Sequence, residues 1–363
     1  MPAWSEWHLN IISKARSDLR ARLWRGLLSL AALPYAGVVS IRNGLFDHGW
    51  RRSQRAACPV VSVGNLTVGG TGKTPAVEMI ARHLRTAGHR VAILSRGYGA
   101  TGGRNDEALL LEENLPDVPH LQGPDRVELA RIAAEELEAE VLLLDDGFQH
   151  RRLCRDLDIV LIDATCPWGY GWVLPRGLLR EPRRGLRRAD VVLLTRCDQI
   201  DEAQLAELRA EAARLAPHAP ILESRHVSEV LRDVDGRELA VEHLRGAPVA
   251  AFCGIGRPDS FFRQLAALGA RLTATRIFPD HHAYGRDDVT SLEGWVRQQP
   301  GDVLLITTHK DLVKLRCAEL AERPLWALRV RLDVTVGRLQ LERRLSSLMT
   351  EDAHGSHPSL SAV

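Results

Sequence analysis

The stretch Val63-Gly64-Asn65-Leu66-Thr67-Val68-Gly69-Gly70-Thr71-Gly72-Lys73-Thr74-Pro75 decides the fold of this 363-residue chain. It follows PVVSV (59–63), a short Val-rich run of the kind buried in a parallel sheet. After it comes TPAVEMIARHLRTAG (74–88), a helical stretch that stops at Gly88. Strand, glycine-rich turn and helix in that order set backbone N–H groups and a helix N-terminus where a phosphate can sit. Lys73 is then expected to reach the β- and γ-phosphates of a nucleotide, and the Thr74 hydroxyl to reach Mg²⁺. A strict phosphate-loop pattern asks for glycine at 67, where Thr67 stands; Gly69, Gly70 and Gly72 still let the backbone approach a ligand.

Outward from this loop the alternation continues. RVAIL (90–94), EVLLL (140–144), DIVLI (158–162) and DVVLL (190–194) read as strands buried on both faces, and DRVELARIAAEELEA (125–139) as a helix. A second alternation begins near Pro248, with strands at 249–253, 271–278, 302–307 and 326–330. Helices are expected from Asp259, near 286–298, near 309–321 and at the C-terminal end. The charged segment 220–247 has no clear period and reads as a linker or strand exchange between two α/β lobes.

A metal carboxylate belongs at the C-terminal edge of a neighbouring strand, and LLLDDGFQH (142–150) supplies Asp145 and Asp146 there. Asp-Asp-Gly is also ordinary turn chemistry, so the pair gains meaning from the phosphate loop beside it.

Composition narrows the class. A chain 45% hydrophobic and 26% charged is a globular protein, and a net charge of +2 argues against a general nucleic-acid binder. Six scattered cysteines without a CxxC pair suggest neither a zinc site nor a disulfide framework and fit a reducing, cytosolic compartment. Lysine occurs only at Lys14, Lys73, Lys310 and Lys314, against 44 arginines.

The charge is uneven. Residues 1–60 hold nine basic and three acidic side chains, and inside them GLLSLAALPYAGVVSI (26–41) is uncharged, with Trp4, Trp7, Trp24 and Trp50 on its flanks. Sixteen helical residues reach about 24 Å, short of a hydrocarbon core of about 30 Å, and Pro34 is expected to interrupt them. An interfacial helix or helical hairpin on an anionic membrane surface is the preferred reading; a packed core helix is the competing one.

These motifs resemble a known family. GNLTVGGTGKTP (64–75), LSRGYG (94–99), DDGFQH (145–150), DLDIVLIDA (156–164), LPRGLLREP (174–182), FPDHHAY (278–284) and TTHKDLVKL (307–315) stand in the order found in tetraacyldisaccharide 4′-kinases. The resemblance runs from RNGLFDHGW (42–50) to the last lysine motif. It implies a membrane-associated kinase that moves the γ-phosphate of ATP, with Mg²⁺, to the 4′-hydroxyl of a lipid A disaccharide 1-phosphate, forming lipid IVA. It places the enzyme on the cytoplasmic face of the inner membrane, peripheral or monotopic, with no nucleic acid and no obligate protein partner.

The implied ATP-binding residues are Thr67, Val68, Gly69, Gly70, Thr71, Gly72, Lys73 and Thr74, and the implied metal residues Thr74, Asp145 and Asp146. The family's catalytic base falls on Asp106 in NDEA (105–108), where Asn105 and Ala108 replace the usual Gly and Pro, and its partner on His281. His282 is the competing choice. Lys73 completes the catalytic set.

Contacts to the lipid are expected from Arg42, Asn43, Asp47, Gln149, His150, Arg176 and Arg180. The arginines at 176, 180, 183, 184, 187 and 188 read either as an anion-recognising face or as solvated surface. His309 stands where the family has Glu, and Lys310 and Lys314 have a motif without a derived role.

The expected architecture is an α/β, phosphate-loop NTPase-type parallel sheet covered by helices. It divides into an N-terminal helical membrane segment (1–55), a nucleotide-binding core (56–225), a second smaller α/β lobe completing the active-site cleft (226–350) and a disordered tail (351–363). The alternative function is a membrane-recruited switch ATPase of the partitioning type, which has no need of a separate acid–base pair.

Overall fold

The structure, a computed structural model, describes residues 6–97 and 106–351. Trp4, Asn105 and the expected tail beyond 351 lie outside the described residues. The chain opens with α1 (Glu6–Ile12) and α2 (Leu19–Asp47), then β1 (Val60–Asn65), α3 (Lys73–Thr86), β2 (Val91–Ser95), α4 (Asp106–Asn114), β3 (His120–Gln122) and α5 (Arg126–Glu135). It continues through β4 (Val141–Asp145), β5 (Leu157–Asp163), β6 (Val191–Thr195), α6 (Glu202–Leu215), β7 (Ile221–Arg232) and β8 (Glu238–Leu239). The last part holds β9 (Pro248–Cys253), α7 (Pro258–Ala267), β10 (Arg271–Ile277), α8 (Arg286–Arg297), β11 (Leu304–Thr308), α9 (His309–Leu315), β12 (Glu319–Leu320), β13 (Arg323–Val336) and α10 (Arg338–Glu351).

The chain divides into two compact units. In the larger, β7, β6, β5, β1, β4, β2 and β3 lie side by side and pair in parallel. Every residue of β1, β2, β4, β5 and β6 is buried, which is why their sequences are rich in Val, Ile and Leu without alternating with polar residues. The chain leaves β1 toward β2 on one side, and after β4 it crosses to β5 on the other. The crevice at the carboxyl ends of β1 and β4 is therefore the topological switch point at which open α/β sheets bind ligands.

The smaller unit carries β10, β9, β11 and β13 in parallel, with β12 antiparallel on β13. Phe252, Leu292, Leu305, Leu312 and Leu325 form part of its core.

Four expectations change. Residues 220–247 are not a linker: β7 occupies twelve of them, and its period was hidden by charged residues that find partners, Glu223 with Arg209 and Arg225 with Asp333. The helix expected at 309–321 stops at Leu315, where Arg316 turns left-handed (φ 50°). The smaller unit takes in 106–114 with 226–332, and 333–351 belong to the larger unit, as does the N-terminal segment from residue 6. The reason for the first is packing, since α4 lies on α9.

The fourth change is at Pro34, which does not break α2. Proline forfeits one intrahelical hydrogen bond, a loss the flanking turns tolerate in a helix of 29 residues and about 43 Å. By length and composition α2 is apolar enough to cross a membrane, and little of it is buried. Leu19, Leu23, Leu27, Leu30, Leu33, Val38 and Ile41 all stand more than half exposed and fall on one helical face. Trp7 meets Trp24 edge to face at 5.7 Å beside this stripe. The other face looks inward, where Ala21 and Ala32 are buried and Tyr35 donates to the backbone oxygen of Arg180 at 3.0 Å.

Candidate active site

The loop between β1 and α3 is pinned at both ends. Asn65 Nδ2 donates to Thr71 Oγ1 at 2.8 Å, and Thr195, at the end of β6, donates its hydroxyl to the Thr71 carbonyl at 2.9 Å. Gly72 turns the chain into α3 at φ 91°, a conformation that favours glycine, and Lys73 is the first helical residue. Gly64 is needed for a different reason: a Cβ there would stand 2.6 Å from Cβ of Phe148, so only glycine lets the turn after β4 close against β1.

At the front of the loop, where Thr67 and Val68 are expected to meet a nucleotide, backbone groups have protein partners. Val68 N–H donates to the Leu178 carbonyl at 2.8 Å, Arg180 N–H donates to the Leu66 carbonyl at 2.7 Å, and Thr67 and Val68 are buried. Gly69 and Gly70, which follow, are exposed.

Asp145 ends β4, and Asp146 follows it in the left-handed region (φ 55°), so their carboxylates have different surroundings. Arg180 Nη1 donates to both carboxylate oxygens of Asp146, at 2.8 and 2.7 Å, and Lys73 Nζ is 3.7 Å from Oδ1. Burial alone would raise the carboxyl pKa of Asp146. Lys73, then Arg180, and more weakly the buried Arg126 reverse this and hold it at about 2.

Arg126, in GPDR (123–126), is a residue that motif reading missed, because its partners Asp145 and Asp146 lie a strand away. Among the described residues no three His, Cys, Asp or Glu gather as a metal centre. The oxygen donors here, a threonine hydroxyl and aspartate carboxylates, suit Mg²⁺ that keeps most of its waters. With Asp146 gripped by two cations, Thr74 and Asp145 are the residues that would hold the ion.

Asn43 and Gln149, two of the residues expected at the lipid, converge on Glu181, which the sequence reading missed. Its carboxylate is 1% exposed and accepts from Asn43 Nδ2 (2.9 Å), Gln149 Nε2 (3.0 Å) and Arg188 Nη2 (2.8 and 2.9 Å). Arg42 donates to the Gln149 carbonyl at 2.7 Å, and Asp47 pairs with Arg151 and Arg187. His150 is held neutral: burial first, then Arg126, Arg152 and Arg155, push its pKa down to about 4.

Arg176 is placed elsewhere. It is buried and donates to the Ile12 carbonyl at the end of α1, so it braces the N-terminal helices. The other arginines of this stretch have protein partners, while Arg184 and Arg187 stay exposed. Arg183 pairs with Glu211, Arg184 bonds Ser40 of α2, and Arg187 and Arg188 are engaged as described.

In the smaller unit the structure brings Asp106 and His281 together, with Nδ1 2.9 Å from Asp106 Oδ2. His281 sits in a left-handed turn (φ 60°), a backbone strain common at functional positions. His282 faces away, to Asp288 at 3.1 Å, stacked on Phe278. Lys310 and Lys314 place their ammonium groups 3.7 Å from the same Asp106 oxygen that meets His281. Burial works against ionisation of Asp106, but His281, Lys310 and Lys314 together hold its carboxyl far below the ordinary carboxylate range.

A lysine-bearing phosphate loop and aspartates on the next strand, together with a carboxylate–imidazole pair, define a phosphate-loop kinase. Comparison makes the identity narrower: the chain belongs to the tetraacyldisaccharide-1-P 4′-kinase family, whose model matches residues 24–350. A tetraacyldisaccharide 4′-kinase of Anaeromyxobacter dehalogenans (strain 2CP-1) is 46% identical over 308 residues, 79% of this chain and 80% of that one. One from Syntrophotalea carbinolica is 39% identical over 353 residues, 92% of this chain and 94% of the other. The crystal structure of LpxK from Aquifex aeolicus in complex with ATP is similar with a TM-score of 0.73 and 30% identity, covering 90% of this chain and 99% of that one.

Proposed function

We propose that this protein transfers the γ-phosphate of ATP to the 4′-hydroxyl of a tetraacyldisaccharide 1-phosphate, giving the 1,4′-bisphosphate. The observation that carries the reading is the 2.9 Å contact between Asp106 and His281 in a chain that also holds a phosphate loop. A switch ATPase of the partitioning type needs the loop and has no use for the pair.

ATP binds with its phosphates over Gly69–Gly72, at the N-terminus of α3. Lys73 leaves Asp146, which Arg180 continues to hold, and places its ammonium between the β- and γ-phosphates. Thr74 and Asp145 would hold Mg²⁺, which when bound would supply positive charge to offset that of the phosphate oxygens. The sugar hydroxyl gives its proton to the Asp106–His281 pair as the phosphoryl group arrives.

The exposed stripe of α2 supports a membrane-bound substrate: its leucines enter the acyl boundary while the flanking arginines meet anionic headgroups. Arg42, Asn43, Gln149 and His150, on or beside the inward face of α2, are proposed to line the path of the disaccharide. The enzyme works as a peripheral or monotopic protein on the cytoplasmic leaflet, where ATP is present.

The test is direct. Purified protein with Mg-ATP should label a lipid A disaccharide 1-phosphate in detergent micelles; ATP hydrolysis with no labelled lipid would sink the reading.

A further inference from the structure

Lysine is so scarce in this chain that its positions invite explanation, and two of the four lie on α9, one helical turn apart. Residues four apart share a face. That face meets the first turn of α4, where both ammonium groups stand 3.7 Å from Asp106 Oδ2. The far end of α4 is fixed to the same helix, since His309 Nε2 lies 2.8 Å from Glu113 Oε1. Asp106 and Glu113 are seven residues apart, two turns, so one face of α4 is held to α9 at both ends.

The two lysines are anchored differently. Lys314 is 10% exposed, pairs with the fully buried Asp311 at 3.0 Å and lies 5.3 Å over the Tyr284 ring. Asp311 is itself fixed by the Gly254 N–H at 2.9 Å and the Thr308 hydroxyl at 2.6 Å. Lys310 is 20% exposed and is shared between Asp106 and Asp280, 3.7 Å from each. Asp280 also lies 3.8 Å from His281 Nε2. The groups facing Asp106 are therefore His281 and Asp280 from the turn before α8, and Lys310 and Lys314 from α9, with Asp311 behind Lys314.

We infer that Lys310 and Lys314 are positioning residues of the proposed kinase reaction: they hold the Asp106 carboxylate ionised and turned to His281, and do not themselves touch substrate. The inference rests on the proposed role of the Asp106–His281 pair. A carboxylate with two ammonium neighbours accepts a proton poorly and serves best by fixing the imidazole, as second groups do in other nucleophile–base–orienter sets. Both ammonium groups converge on one oxygen, so either lysine supports the placement and the two together fix it.

The experiment follows the Asp106 carboxyl by ¹³C NMR across pH in the unmodified protein, Lys310→Met, Lys310→Arg and Lys314→Met, beside pH profiles of lipid phosphorylation. Removing either ammonium should move the Asp106 midpoint upward by about one pH unit, a tenfold change in proton affinity, and Lys310→Arg should keep it low. The acid limb of kcat/KM should rise with it, with KM for ATP unchanged. Lys314→Met/Asp311→Asn repeats the test without an unpaired buried carboxylate, in case Lys314→Met does not fold.

An unmoved midpoint in both Lys310→Met and the double variant overturns the inference. So does a fall in kcat that is equal at every pH, which would make the lysines phosphate contacts. The NMR titration reads out whether or not the protein phosphorylates lipid, so failure of the kinase reading is recognised separately, by unlabelled lipid with the unmodified protein.

Discussion

Arg180 holds Asp146 through a single guanidinium nitrogen, 2.8 and 2.7 Å from the two carboxylate oxygens. The contact joins LPRGLLREP to DDGFQH, motifs that are separate in sequence, and it leaves Lys73 a longer, weaker grip at 3.7 Å. A lysine held loosely by a carboxylate that has a second cation is ready to move to a phosphate.

Stability should register this pair. The folded pKa of Asp146, about 2, lies below its unfolded value. Its contribution is thus complete above about pH 4 and is lost as pH falls toward 2. Arg180→Gln removes a large share of the shift, which as a whole is worth about 2 kcal/mol. Thermal unfolding at pH 7 should come about 3–6 °C earlier in the variant, and its acid loss should begin at higher pH.

Asp145→Asn should act on metal. Titration of activity with Mg²⁺ is expected to need much higher ion concentrations, with kcat about 10²–10³-fold lower at saturation, as for loss of one group that stabilises transition-state charge. ATP binding measured calorimetrically without Mg²⁺ should stay near that of the unmodified protein. Equal loss of metal-free ATP binding would place Asp145 in nucleotide binding instead.

Asp106→Ala separates chemistry from binding. Turnover is expected to fall about 10²–10⁴-fold, the range for a positioned acid–base group. The Kd for ATP should barely change, because the phosphate loop is built without this residue. Parallel losses in both would deny Asp106 its role.

For α2, Leu23→Glu together with Leu27→Glu should abolish flotation with vesicles containing anionic lipid. Each leucine withdrawn from an apolar phase costs about 2 kcal/mol, so the pair changes partitioning by well over tenfold. Both side chains are exposed, so the far-ultraviolet circular dichroism and melting temperature should be unaffected.

Legibility in the sequence followed the range of the interactions. The phosphate loop and the Asp145–Asp146 edge could be read because their causes are local, a left-handed Gly72 and buried Val/Leu runs, whereas the approach of Phe148 that demands glycine at 64 is long-range and could not. Asp106 and His281 became visible only through family resemblance, since an aspartate opening a helix and a histidine in a turn each have ordinary explanations. Glu181 and Arg126 were missed because their surroundings come from distant segments, and no nearby pattern marks a carboxylate that will be buried among Asn43, Gln149 and Arg188. The pairing of the Val68 N–H with the Leu178 carbonyl has no mark in the sequence, because the two lie 110 residues apart. Lys310 and Lys314 showed their spacing plainly, but the carboxylate they share lies far upstream.

The inward side of α2 bears on how this enzyme could be re-engineered. Asn43 reaches the buried Glu181 carboxylate, and Tyr35 caps the Arg180 carbonyl. A truncation after Asp47 would strip partners from the segment that steadies Asp146 and the phosphate loop. Polar replacements of the outward leucines keep those partners, so this helix is better resurfaced than deleted or exchanged for a generic one.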